Sequence, residues 1–171
     1  MKLEKFWQII DEVRAEGEDD EAHAEALQAR LTRLKPHAIV DFQRHFDALH
    51  AELYDWDLWA AAYVIQGGCS DDGFADFRSW VISAGKRVHK LARNSPDALA
   101  ELELDDDAGS RLEQTTRELF SYAADEAYEG KTGESLPLDS SLQPEDPTGS
   151  DWDEDDLPRR MPRLWAKYGA E

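Results

Sequence analysis

The stretch WDLWAAAYVIQ, residues 56–66, followed at once by GGCSDDGF, residues 67–74, decides the fold. The first part is apolar on nearly every side. An isolated amphipathic helix keeps one polar face, whereas a helix apolar all round belongs at the centre of its domain. Gly67 and Gly68 can supply the left-handed residue that ends such a helix. Ser70 is a good N-cap, and Asp71 and Asp72 suit the positive end of the helix dipole that follows. The segment therefore reads as a buried central helix, a tight joint, and the start of a neighbour.

Outward from this joint the same periodicity recurs. DDGFADFRSWVISAG carries Phe74, Phe77 and Val81 on an inner stripe with Trp80 beside them, and Gly85 is its stop. Upstream, Leu3, Phe6, Trp7, Ile10 and Val13 mark a first helix, broken by Gly17 and the acidic run 18–21. Leu27, Leu31 and Leu34 mark a second. Pro36 opens a third, whose apolar face is Ile39, Phe42, Phe46, Leu49 and Leu53. Downstream, Ser95-Pro96-Asp97 reads as the capped start of a short helix. One last long helix carries Leu112, Thr116, Leu119, Phe120 and Ala123.

Beyond Gly130 the composition shifts to Pro, Ser, Gly, Asp and Glu, with five of the seven prolines from Pro137 onward. That is linker chemistry. The end, DLPRRMPRLWAKYG, nevertheless carries the anchors Leu157, Met161, Leu164, Trp165 and Tyr168. The expected fold is all-α: a compact single-domain bundle of about six to eight helices, with an extended C-terminal segment docked on it. Residues 1–130 are its helical domain, and residues 131–171 are the acidic, Pro-rich segment that packs back.

Charge bounds the function. The 171 residues include 38 acidic and 19 basic side chains, a formal net charge of −19. Such a surface repels nucleic-acid phosphates and anionic lipid, so neither nucleic acid nor membrane is expected as a partner. A basic protein patch or a small ligand is. The single cysteine cannot form an internal disulfide, which suits a cytoplasmic setting. The opening MKLEKFWQIIDEV does not read as a signal peptide, and no apolar run approaches the roughly eighteen residues of a membrane span.

Three readings compete for residues 67–74. The plainest is the helix joint already described, with Cys69 as a small packed residue. A reactive reading takes Cys69 as a thiol near a helix N-terminus, with His45 as base. The two neighbouring aspartates oppose a thiolate there. The third reading is a polar pocket. If the third, fourth and fifth helices pack together, Asp41, His45, Asp57, Ser70, Asp71, Asp72 and Arg78 can converge in an aromatic surround. The same groups can equally form an ion-pair network that pins the helices.

No metal and no cofactor are expected. Asp151, Asp153 and Asp155 match the first three ligand positions of an EF-hand loop. Asp156 then stands where glycine is required and Pro162 where glutamate is required, so the match fails. The five histidines show no zinc spacing, and no Walker loop, GxGxxG or GxSxG occurs.

The blocks DFQRHFDAL, YDWDLWAAAYVIQGGCSDDGFADFRSWVISAGK, NSPDALAEL, EAYEGKTGESLP and WDEDDLPRRMPRLWAKYG resemble domain-of-unknown-function family 4240, a bacterial family. The likeness runs from Phe6 to Gly169. It falls on Phe42, His45, Phe46, Asp57, Trp59, Gly67, Gly68, Ser70, Asp71, Asp72, Phe74, Phe77, Arg78 and Trp80. Relatives carry alanine where Cys69 stands, which disfavours a cysteine nucleophile. The resemblance implies a compact helical domain with an ordered C-terminal segment, and it implies no activity.

Two functional readings follow. The first is a non-catalytic binding or regulatory module with an acidic surface. The alternative is a small enzyme or ligand sensor using His45, Asp57, Asp71, Asp72 and Arg78, with an aspartate as base, Arg78 as anion clamp and His45 as proton shuttle.

Overall fold

A computed structural model of the chain describes residues 1–16, 19–137 and 144–169. The breaker residues Gly17 and Glu18, and residues 138–143 of the Pro-rich segment, lie outside the described residues. The architecture is all-α. Ten helices occur among the described residues: α1 Leu3–Arg14, α2 Asp20–Thr32, α3 Pro36–Glu52, α4 Trp56–Gln66, α5 Asp71–Ser83, α6 Lys86–Asn94, α7 Ala108–Gln114, α8 Glu118–Thr132, α9 Leu157–Arg160 and α10 Pro162–Tyr168. Two 3₁₀ turns, Pro96–Glu101 and Glu154–Asp156, complete the set. No strand forms among the described residues, and a single isolated bridge joins Asp55 to Thr148.

The central helix is α4. Leu58, Ala60, Ala61, Ala62, Val64 and Ile65 are all buried. The three alanines carry no bulk, so helices can approach α4 from several sides, and α5, α7, α9 and α10 all touch it. Asp55 caps its start by accepting from the N–H groups of Asp57 and Leu58. Gly67 ends it at φ 70°, ψ 31°, in the left-handed region where glycine alone lacks a steric penalty. Helices α2 and α8 pack along each other, and α3, α5 and α8 all contact one another.

The structure departs from the sequence reading in three places. The single helix expected from Leu112 to Ala123 is two, α7 and α8, parted at Thr115–Arg117. Buried Thr115 turns its hydroxyl back onto the Arg111 carbonyl at 2.6 Å. Asp20 then caps a fresh N-terminus at Leu119 and Phe120 (2.9 and 3.2 Å). In consequence Leu112 and Leu119, expected inside, are 44% and 48% exposed. Helix α6 was not anticipated, because KRVHKLARN has only Val88, His89 and Ala92 on its buried side. Ser95 precedes the 3₁₀ turn without making a side-chain cap bond.

The C-terminal segment docks on α4 and on the Pro96–Glu101 turn. Trp152 donates its indole N–H to the Trp56 carbonyl at 2.9 Å. Leu157, Met161, Leu164 and Tyr168 are buried. Asp97 accepts from the backbone N–H groups of Arg163 and Leu164 (3.0 and 2.9 Å). Beneath α10 lies Arg111, fully buried, donating to the Ile65 carbonyl at 2.6 Å and stacked 4.3 Å from the Tyr168 ring centroid. This cation meets the C-terminal carbonyls of α4, where the helix dipole favours it. No helix is long and apolar enough to cross a membrane among the described residues.

Candidate functional site

The aromatic residues around the joint build a column. The Trp56 ring stacks on Trp59 at 5.2 Å and 9°, and Trp59 stacks on Phe74 at 4.9 Å and 14°. Tyr54 flanks Phe74 at 6.2 Å. Trp152 from the docked segment meets Trp56 edge-on. Trp59 also donates to the Cys69 carbonyl at 3.0 Å, which ties the column to the joint. At the inner end of the column sits Arg78. Its guanidinium lies 4.6 Å from the Tyr54 centroid and 5.0 Å from that of Phe74.

Arg78 is 8% exposed. Its Nε donates to the Phe74 carbonyl (3.4 Å) and its Nη1 to the His50 carbonyl (3.1 Å). No carboxylate lies within ion-pairing distance of it among the described residues. Burial lowers its pKa to about 10, so it remains a cation at neutral pH. In a chain of net charge −19, a buried arginine without a counter-ion is unusual.

Arg78 lines a cavity of ≈ 310 Å³ with Asp47, His50, Ala51, Tyr54, Ala75 and Pro144. Its walls are the C-terminal half of α3 and the middle of α5. Ala75 is small, so His50 reaches across and bonds the Ala75 carbonyl at 2.9 Å through Nε2. A carbonyl only accepts, so Nε2 carries the proton and Nδ1 keeps its lone pair. Burial, with Arg78 adding to it, depresses the His50 pKa to about 4. The imidazole is therefore neutral near pH 7.

An adjoining cavity of ≈ 560 Å³ shares Asp47, His50 and Ala75 with the first. Asp72 and Asp76 of α5 and Glu118 of α8 make it acidic. Burial raises the Asp76 carboxyl to about 6, and the charges of Glu118, Asp20 and Asp72 push the same way.

The residues singled out in the sequence are dispersed around this site. Arg78 and Asp72 line the two adjoining cavities. Ser70 is exposed and caps α5, accepting from Gly73 N–H at 3.1 Å. Asp71 is exposed in the first turn of α5. Asp57 is exposed and pairs with Arg160 of α9 at 3.2 Å. His45 bonds the Met1 carbonyl at 2.9 Å and packs beside Phe6, while Asp41 pairs with the Met1 amino group. Cys69 is half-buried, and burial with the Asp76 charge pushes its thiol up to about 12, which opposes a nucleophilic role. No three His, Cys, Asp or Glu side chains are grouped closely enough to hold a metal ion among the described residues.

Sequence reasoning missed Asp47, His50, Tyr54, Asp76 and Glu118. A signal for part of the set was present. Asp47 and His50 are three apart on one face of α3, beside its apolar stripe, and Tyr54 follows just beyond the end of that helix. His45 borders the apolar face of α3 between Phe42 and Leu49, yet its ring bonds the N-terminal residue Met1.

The profile of a family described as "Protein of unknown function (DUF4240)" matches residues 1–130, which takes in α1 to α7 and most of α8. No match was found among curated proteins or among solved structures.

Proposed function

Because the chain belongs to the family described as "Protein of unknown function (DUF4240)", its site must carry the functional reading, and we propose a non-catalytic binding module that takes a small anionic group, carboxylate or phosphate, onto Arg78. One observation carries this reading: Arg78 is buried, cationic and, among the described residues, without a counter-ion on the wall of a cavity. Its Nε and Nη1 are committed to two backbone carbonyls, and its Nη2 has no partner among the described residues. A guanidinium edge in a low-dielectric recess favours an oxyanion, and the Tyr54 and Phe74 rings hold the fork in place. The net charge of −19 repels anions at long range, so only such a local cation can hold one.

Binding is favoured over catalysis by the neighbours. His50 near 4 and Cys69 near 12 are both far from the poise that proton transfer or attack needs at neutral pH. Asp76, near 6, is the one observation that supports the small-enzyme reading. The acidic composition separately supports a basic protein partner.

The test is calorimetric titration of the purified protein with succinate and with inorganic phosphate at constant ionic strength. A saturable heat for at least one of them is expected, lost in Arg78→Met and weakened in Tyr54→Leu. Circular dichroism establishes that each variant is folded. Wild-type protein that is folded and takes up neither anion overturns the proposal.

A further inference from the structure

The two cavities are one groove in chemical terms. They share Asp47, His50 and Ala75. Helix α3 runs along both: Ala51 lines the first cavity and Gln43 the second, a distance of about 12 Å at 1.5 Å per residue. Charge changes sign along the way. Arg78 stands at one end, Asp47 is common to both cavities, and Asp72, Asp76 and Glu118 stand at the other.

This arrangement leaves electrostatic energy unused. Arg78 has no carboxylate partner among the described residues, although Asp76 is two residues away on the same helix. Residues two apart on a helix point in different directions, so the pair cannot close. The acidic end likewise crowds Asp76 with like charges. A bundle that served only its own stability would have paired these groups. A ligand carrying both signs pairs them from outside.

We infer that the ligand is a zwitterion with its anionic group on Arg78 and an ammonium or guanidinium group, several bonds away, against Asp72, Asp76 and Glu118. This rests on the anion-binding reading of Arg78 and adds to it a second charge and a direction along the groove. The ligand class is that of an ω-amino carboxylate or a basic amino acid. His50, between the two ends, offers a neutral Nδ1 acceptor to a donor in the middle of the ligand. The buried Arg78 makes this more than an acidic cluster, because it fixes where the opposite charge must sit.

Three probes of equal chain length decide it: 6-aminohexanoate, hexanoate and hexylamine, each titrated calorimetrically into the full chain at constant ionic strength and pH 7.5. The zwitterion is expected to bind at least tenfold tighter than either single-charge probe. In Asp76→Asn that advantage over hexanoate is expected to shrink to within about twofold. If hexanoate binds and the added amine gains nothing, the zwitterion is wrong and the anion site stands. If hexylamine equals 6-aminohexanoate, the groove is a plain cation site and the inference falls. If folded protein takes up none of the three, nor the anions above, the inference and the reading beneath it both fall.

Discussion

The guanidinium of Arg78 lies 4.6 Å from the centroid of the Tyr54 ring, and no carboxylate shares that position among the described residues. An aromatic face attracts a cation through its quadrupole, most strongly where water is excluded. Here the ring takes over part of the work of a counter-ion while leaving the cation able to accept a ligand. A double-mutant cycle with Tyr54→Leu and Arg78→Met, followed by urea unfolding, should give a coupling of about 1–2 kcal/mol. A coupling near zero would mean that the ring only fills space.

His50 makes stability depend on pH. Its folded pKa is about 4, below the ordinary value of 6.5, because burial and Arg78 both disfavour the imidazolium. Between these values the unfolded chain binds a proton that the folded chain does not. Stability from this residue is therefore complete above about pH 6.5 and is lost as pH falls towards 4, by on the order of 3 kcal/mol. His50→Gln keeps a donor for the Ala75 carbonyl and removes the titration. The slope of urea midpoint against pH from 4.5 to 7.5 should be more positive in wild type than in the variant, the difference being the His50 contribution.

Asp76 works in the opposite direction. Its folded pKa is raised to about 6 from 3.8, so ionising it costs stability as pH rises through that window. Asp76→Asn should stabilise the protein at pH 7.5 by roughly 1–2 kcal/mol, allowing for its partial exposure, and should change nothing near pH 3.5. A stability gain on removing a side chain marks a group kept for something other than the fold. A loss at pH 7.5 would assign Asp76 a structural partner instead.

For Cys69 the structure predicts inertness. A thiol pushed up to about 12 is almost wholly protonated at pH 8. Alkylation by iodoacetamide at pH 8 should be at least about a hundredfold slower in native protein than in the urea-unfolded chain, where the thiol returns to about 8.5. Comparable rates would restore the reactive reading of this cysteine.

What could be read in the sequence was what neighbours along the chain decide. The apolar run of α4, its stop at Gly67 and the Ser70 cap of α5 depend on residues within a few positions of one another. The breakdown at Thr115 did not show, because the stripe through Leu112, Leu119 and Phe120 keeps helical spacing across it. Only the hydroxyl of Thr115 and the distant carboxylate of Asp20 make the break preferable. The site follows the same division. Arg78 and Asp72 stood out as charged residues in an aromatic motif, whereas His50 and Asp76 gain their properties from burial across two helices that no local spacing encodes.

The caps test that division directly. Asp107 caps α7 from the adjacent position, accepting from Ser110 N–H at 2.9 Å. Asp97 caps α10 from 66 residues away, through both carboxylate oxygens to Arg163 N–H and through one to Leu164 N–H. Each replacement by alanine should cost about 1–2 kcal/mol, the usual worth of an N-cap. The consequences should differ in place. Asp107→Ala weakens one short helix within the bundle. Asp97→Ala also releases the segment that buries Leu157, Met161 and Leu164, so limited proteolysis should cut between residues 149 and 161 in Asp97→Ala and not in Asp107→Ala. Asp97→Asn keeps an acceptor and should recover most of the protection. Equal proteolysis of the two alanine variants would mean that the docked segment is held by its apolar anchors alone.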